Sequence, residues 1–299
     1  MFNKGERWRR TLHFVLIRSL ATRAKIFVKQ ILKRILPAQT FARLKSTRAR
    51  GYGLKVLREN GLLEISSRVV EHCGTTVRGG PFSGLRFPAK VLLEIPCAQR
   101  LVGSYEKELH PIFKNLNQKM KYDIVINVGS AEGYYAVGLA MLLHLPVFAF
   151  DVDPEERRRC KKTAELNGVG SLLQIKAYCD GPALRRLARG KRCFVVSDCE
   201  GYEIELFDQK SISDLLHSDV LIEIHENEQR TVLNSICGAF RATHLIHIYE
   251  ATAREADEYP ELGFLGADAE KAIAEWRITG QKWVFLKSKE ECIRLNKGV

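Results

Sequence analysis

The 299-residue sequence predicts an α/β fold, a parallel sheet with helices on both faces, preceded by a basic helical arm. Three observations carry this. After Lys121, apolar runs of strand length alternate with stretches of helical pattern, the signature of parallel strands joined by crossover helices. Five successive runs end in polar, mostly acidic residues, as expected where ligands bind beyond the carboxyl ends of such a sheet. The excess positive charge sits at the front: residues 1–50 hold 14 Lys and Arg against one acid, Glu6, leaving 33 bases and 34 acids in the rest.

The arm, residues 1–50, comes first. From Thr11 to Leu36 the apolar residues Leu12, Val15, Leu16, Leu20, Ala24, Phe27, Ile31 and Ile35 recur at helical spacing among bases, ending at Pro37. Such a basic amphipathic helix fits an anionic membrane surface through residues 1–36, packing on the body or on a second subunit in a homo-oligomer, or a nucleic acid. Its start is signal-like, but Arg18 interrupts the apolar run and no A-x-A site follows, so secretion is disfavoured. The run is also too short and too charged to span a bilayer. The eight cysteines include no C-x-x-C pair and several lie in apolar runs. They read as buried thiols in a reducing compartment, and the expected location is cytoplasmic, peripheral at the inner face of a membrane.

Residues 51–102 read as an N-terminal extension, with "RGGPFSGLRFP" (Arg78 to Pro88) as a hairpin. Residues 103–299 read as the ligand-binding domain. It opens with "SYEKELHPIFKNL", a short helix with Ser104 as N-cap. Tyr105 and Glu106 would either cap that helix or close over a ligand. Strand-like runs follow at Ile124–Val128, Val147–Asp151, Leu173–Ala177, Phe194–Ser197, Val220–His225, Leu245–Tyr249 and Trp283–Leu286. Helical stretches lie between them at Tyr134–Leu143, Glu155–Leu166 and Pro182–Ala188.

The strand ends carry the chemistry. The first closes with Asn127, Val128 and Gly129, then Ser130 to Gly133; the second with Asp151 and Asp153; the third with Asp180. The fourth ends at Asp198, Glu200 and Glu203, and the fifth at Glu223, His225 and Glu226. A glycine turn followed 22 residues later by Asp151 is the arrangement that holds a nucleoside, the acid taking the ribose diol. The turn reads G-x-x-x-G rather than G-x-G-x-x-G, has no Lys-Ser/Thr, and contains Glu132, which would repel phosphate and tolerate a cation. S-adenosylmethionine, with a sulfonium, an ammonium and no phosphate, fits these terms. Its expected contacts are Asn127, Gly129, Ser130, Glu132, Gly133, Tyr134, Asp151, Val152, Asp180 and Asp198. Against this, Gly129 and Gly133 could form an ordinary tight turn, Asp151 a helix N-cap, and Asp180 a turn residue before Gly181-Pro182.

The segments "VINVGSAEGYY", "VFAFDVDP", "ELNGV", "VVSDCEGYE" and "LIEIHE" together resemble the class I S-adenosylmethionine-dependent methyltransferases, most closely the FkbM-like group. That group shows a D-V-G-A-N-x-G turn, an aromatic-E-P run and K-x-D-x-E-G-x-E. The likeness covers Gly103 to Leu286 and is best between Ile124 and Glu226. It implies a seven-stranded, mostly parallel sheet with an antiparallel last strand, and O-methyl transfer to a glycan, glycolipid or similar hydroxylated metabolite. The sequence departs from the pattern at Asn127, Ala131, Glu132, Val152 and Ser197, which bears on the substrate more than on the cofactor.

Transfer to a hydroxyl needs in-line positioning and a base for the proton. His225 is the candidate that titrates near neutrality, with Asp198 and Glu200 as carboxylate candidates, only one of which is expected to face the cleft. Asp198, Glu200, Glu223 and His225 could also surround a divalent metal, although their spacing requires none. A nucleic-acid methyltransferase is disfavoured: the fourth strand lacks an N/D-P-P-Y turn, and Cys199 stands between two acids rather than after a proline. A non-catalytic cofactor-binding module is the third alternative.

Overall fold

A computed structural model describes residues 39, 40, 43, 51, 55–119, 122–226, 231–275 and 281–290. The chain divides into two compact units, Met1–Ala49 and Arg50–Val299. The expected helix of the basic arm lies outside the described residues. Within the second unit, residues assigned to the N-terminal extension, among them Leu62, Val69, Phe82 and Leu85, pack into the same core as Tyr134 and Phe194.

The seven strands are β1 (Ile124–Val128), β2 (Val147–Phe150), β3 (Leu173–Lys176), β4 (Cys193–Ser197), β5 (Asp219–Ile224), β6 (His244–Glu250) and β7 (Lys282–Ser288). They form one sheet in the order β3-β2-β1-β4-β5-β7-β6. The first five run parallel, and β7 is antiparallel to both β5 and β6. Every residue of β1, β4 and β5 is buried, as interior parallel strands require. Successive residues feed opposite faces. Val125, Phe194, Val196 and Leu221 enter one core cluster, while Ile124, Ile126, Val195 and Ile222 enter the other.

Among the described residues from Leu62 onward, the α-helices, in order, are α1 (Leu62–Cys73), α2 (Ala89–Leu92), α3 (Ala98–Val102), α4 (His110–Lys119), α5 (Tyr134–Leu143), α6 (Pro154–Leu166), α7 (Gly181–Ala188), α8 (Glu203–Leu206), α9 (Gln209–Asp214), α10 (Val232–Phe240) and α11 (Ala269–Ile273). Side-chain caps start two of those that flank the strand ends. Asp153 Oδ1 accepts from Glu155 N at 2.8 Å before α6, and Asp180 Oδ1 accepts from Ala183 N at 2.8 Å before α7. Pro154 and Pro182 follow in the first turns, where a missing N–H costs nothing.

The Arg78–Pro88 stretch folds back on residues 75–77 as a short antiparallel hairpin: Thr76 bridges Arg86, Val77 N donates to Leu85 O at 2.8 Å and Phe87 N to Thr75 O at 2.9 Å, with Gly80 and Gly84 at positive φ in its turns. One local expectation changes. Ser104 does not cap a helix: its hydroxyl turns back to Gln99 O, and a 3₁₀ turn, Lys107–Leu109, precedes α4. The residue before that turn is Glu106, in the left-handed region at φ 49°. Its N–H donates to Glu275 Oε1 at 2.7 Å, and Arg254 pairs with Glu108 at 2.7 Å and with Glu275 at 2.6 Å. The connection between β6 and β7 thus clamps residues 104–108.

Candidate active site

Strand order reverses between β1 and β4, so the loops leaving these two strands border one crevice. Gly129 makes that approach possible. Its φ is +81°, and a Cβ there would lie 1.8 Å from Asp198 O. The amides of Gly129 and Ser130 donate to Phe150 O at the end of β2, at 2.8 and 2.9 Å. Gly133, at φ +103°, then admits α5. Ser130 is buried in the turn.

Asp151 holds this turn from β2. Its Oδ2 accepts from Ala131 N at 2.9 Å and its Oδ1 from Asp153 N at 2.8 Å. Burial pushes its carboxyl above the usual range, opposed by these amides. Each oxygen keeps a lone pair that a ribose hydroxyl can use. The N-cap role falls to Asp153 instead. Val152 is half-buried beside Asp151. Asn127 is fully buried; its Nδ2 donates to Val196 O at 3.3 Å, and its Oδ1 has no hydrogen-bond partner among the described residues. Asp180 stands at the third strand end as the α7 cap, with its second oxygen outside that bond.

Two predicted contacts also have partners within the protein. Glu132 is not an open negative group for a ligand. Its Oε1 lies 2.7 Å from Nε of Arg100 on α3, with only 4% of the acid's side chain exposed. The Arg100 guanidinium in turn lies 4.2 Å from the Tyr105 ring centroid. A local sequence reading misses this neutralisation because its cation comes from a distant helix. Tyr134 packs its ring edge-on against Phe82 and Tyr105, with centroids 5.2 Å apart in both pairs. Its buried hydroxyl has no hydrogen-bond partner among the described residues.

At the ends of β4 and β5 the acids converge on one imidazole. His225 Nδ1 lies 2.7 Å from Glu203 Oε1, and the Glu203 side chain is 1% exposed. Nε2 faces Asp198 Oδ1 at 3.5 Å, Glu200 Oε2 at 3.8 Å and Glu223 Oε2 at 3.8 Å. Asp198 and Glu200 therefore both turn toward His225, contrary to the expectation that only one faces the cleft. Residues two apart on an extended chain share a face, and Glu200 at φ 54° bends the segment further. One ligand atom each from Asp198, Glu200 and His225 lie within 4.8 Å of one another, a spacing that a divalent cation can span.

Burial sets the protonation pattern. It pushes Asp198 up to about 6, with Glu200 adding to the effect and His225 opposing it. It pushes Glu223 up to about 12, with Asp198 and Glu106 adding to it. Glu223 thus carries a proton at neutral pH and donates it in a hydrogen bond to Asp198. Burial alone would pull His225 down, but the Glu203 hydrogen bond and the Asp198 and Glu200 charges outweigh it and leave the imidazole raised. Glu106 is driven well above the carboxylate range by burial, then by Glu275 and Asp198.

Arg100, the His225 partnership of Glu203 and the proton on Glu223 escape the sequence reading. Glu203 is visible as the last acid of "DCEGYE", but its contact spans 22 residues and exists only because β4 and β5 are neighbours. Among the described residues all seven cysteines are free thiols, and burial pushes Cys199 well above the ordinary thiol range, which does not suit a nucleophile. No helix among the described residues is long and apolar enough to cross a membrane.

The strand order with its antiparallel seventh strand is that of the class I methyltransferase fold. No protein-family model matches the chain, and no curated protein matches it. Among solved structures it is similar to an rRNA methylase from Streptococcus thermophilus, at 14% identity over 61% of this chain and 97% of that one, with a TM-score of 0.42. It is similar to the human methyltransferase 10 domain containing protein at 12% identity over 77% and 95% of the two chains, with a TM-score of 0.44. Precorrin-6y C5,15-methyltransferase from Geobacter metallireducens gives 8%, 60%, 87% and 0.41 in the same terms. Likeness of this degree carries no argument about chemistry.

Proposed function

We propose that the chain is an S-adenosylmethionine-dependent O-methyltransferase of the FkbM-like kind, acting on a hydroxyl of a glycan, glycolipid or similar metabolite. The observation that carries the reading is His225: an imidazole held through Nδ1 by a buried carboxylate, with Nε2 toward Asp198, whose carbonyl closes on the glycine turn. A hydroxyl must lose a proton as it reacts, and an imidazole in this setting takes it.

The residues fit the cofactor. Asn127 Oδ1 is a buried acceptor without a partner among the described residues, at the end of β1. Asp151 keeps lone pairs after holding the turn, and Asp180 offers an oxygen outside its cap. Asp198 and Glu200 stand beside one imidazole, and their charges suit a ligand of net positive charge. When bound, S-adenosylmethionine supplies a sulfonium methyl open to in-line attack by an oxygen. Asp151 and Asp180 would hold its nucleoside end, and Asn127 and the glycine turn its methionine end, with Asp198 beside His225. His225 Nε2 receives the hydroxyl proton while the surrounding carboxylates stabilise the resulting imidazolium.

The test is methyl transfer from labelled cofactor into host extract, separated afterwards into lipid, glycan, protein and nucleic acid. Label in the glycan or lipid fraction, lost with His225→Ala, is the expected result. Label in RNA or DNA would replace the acceptor assignment. Binding of cofactor with no label anywhere would favour a non-catalytic module. For the arm, we propose a membrane role at the inner face of a bilayer. Flotation with anionic liposomes should be lost in a chain starting at Gly51, and equal flotation of both chains excludes that role.

A further inference from the structure

We infer that Glu203 is the positioning residue of this reaction: it fixes His225 in the tautomer that leaves Nε2 unprotonated and facing the acceptor. The inference rests on the reading of His225 as the proton acceptor and names what prepares it.

The backbone brings Glu203 into place. Glu200 at φ 54° and Gly201 at φ 92° are two successive residues at positive φ, and they turn the chain back at the end of β4. Glu203 then opens α8 facing the end of β5, its side chain almost wholly buried. One oxygen, Oε1, accepts from Gly201 N at 3.0 Å and lies 2.7 Å from the imidazole Nδ1. The Gly201 amide orients the carboxylate within its own loop, and the carboxylate in turn orients the ring.

The tautomer follows from the donor inventory. An ionised carboxylate only accepts, so the nitrogen facing it at 2.7 Å carries a proton. A neutral imidazole has one N–H, which leaves the lone pair on Nε2. The other groups facing the ring are Asp198 and Glu200 from the end of β4 and Glu223 from β5, all 3.5 to 3.8 Å from Nε2. That is beyond a direct hydrogen bond, and the Asp198 and Glu200 charges are close enough to favour the imidazolium. In the proton step the acceptor O–H loses its proton to Nε2. The Nδ1 proton stays on the ring, hydrogen-bonded to Glu203, and the new positive charge on the imidazolium is balanced by that carboxylate. No other bond of the protein changes.

A purely structural Glu203 would hold its loop through Gly201 and leave the ring chemistry untouched. The experiment reads the ring directly, by nitrogen-15 NMR of the full chain, with the His225 signals identified by their loss in His225→Asn. The wild type is expected to keep Nδ1 protonated in its neutral form and to titrate above the ordinary histidine value of about 6.5. Glu203→Gln, whose amide can donate to Nδ1, is expected to lower the titration midpoint, shift the neutral form toward Nε2–H, and cut methyl transfer ~10²-fold or more. Its calorimetric affinity for S-adenosylmethionine is expected to stay within about threefold, since Glu203 lies outside the proposed cofactor contacts. Glu203→Asp, which keeps the charge, should restore part of both signals. Wild-type His225 found as the Nε2–H tautomer overturns the inference, as does a Glu203→Gln protein with unchanged midpoint, tautomer and rate. If the wild type binds cofactor but transfers no methyl group, the functional reading fails, and the tautomer measurement still decides the role of Glu203.

Discussion

The two halves of the crevice use their acids differently. On the β1–β2 side each acid has a local partner in the fold. Asp151 holds the glycine turn, Glu132 neutralises Arg100, and Asp153 caps α6. On the β4–β5 side, Asp198, Glu200, Glu203 and Glu223 converge on the single imidazole of His225. The first arrangement builds a rigid cradle. The second gathers carboxyls that burial holds toward their protonated form around a ring that can gain a proton. An acid at a strand end is therefore weak evidence for chemistry until its partners are known.

The largest effect should come from His225→Ala, which removes the proton acceptor. Methyl transfer should fall ~10²–10⁴-fold with cofactor affinity nearly unchanged, as read by labelled-methyl assay and calorimetry. A rate within threefold of wild type would erase the distinction between the two sides. Next, Arg100→Met strands Glu132 in a buried setting and should cost about 3–5 kcal/mol of stability in urea unfolding. Arg100→Met combined with Glu132→Gln should recover most of that loss while keeping cofactor affinity, and a loss of binding in the double variant would return Glu132 to the ligand.

Gly129→Ala should cost about 2–4 kcal/mol, from left-handed strain and the clash with Asp198 O, measured in the same unfolding assay. A smaller pH effect tests the protonation pattern. Asp198 is held at about 6, above the ordinary carboxylate value, so its stabilising contribution is complete below about pH 4 and lost as pH rises through 6. The Tm of the ligand-free protein should fall across that window, and the raised His225 adds a loss in the same direction at higher pH. Glu223→Gln, replacing a group already neutral, should leave Tm at pH 7 nearly unchanged. The smallest expected effect is that of EDTA. Transfer should persist within about twofold, because His225 Nε2 serves as proton acceptor in the proposed function. A strict metal requirement would assign Asp198, Glu200 and His225 to coordination instead.

Much of this architecture is legible in the sequence, for definite reasons. Interior parallel strands are continuous apolar runs, so β1 and α5 have the predicted limits, while edges such as β6 differ by a residue at each end. The strand-end residues follow because an α/β sheet gathers them wherever the helices run. What cannot be read is side-chain pairing across long separations. Arg100 meets Glu132, and His225 meets Glu203, only after α3 and the β4–β5 pair are in place. Ser104 illustrates the converse error: a good N-cap residue is overridden when the Arg254–Glu275 clamp fixes its segment in a different turn.

The most direct test of the central claim is calorimetric titration of the full-length protein with S-adenosylmethionine, alongside Asp151→Ala. One site per chain, weakened roughly tenfold or more by the substitution, is the predicted result. Absence of binding to the wild type at millimolar cofactor, with no accompanying rise in Tm, would contradict it.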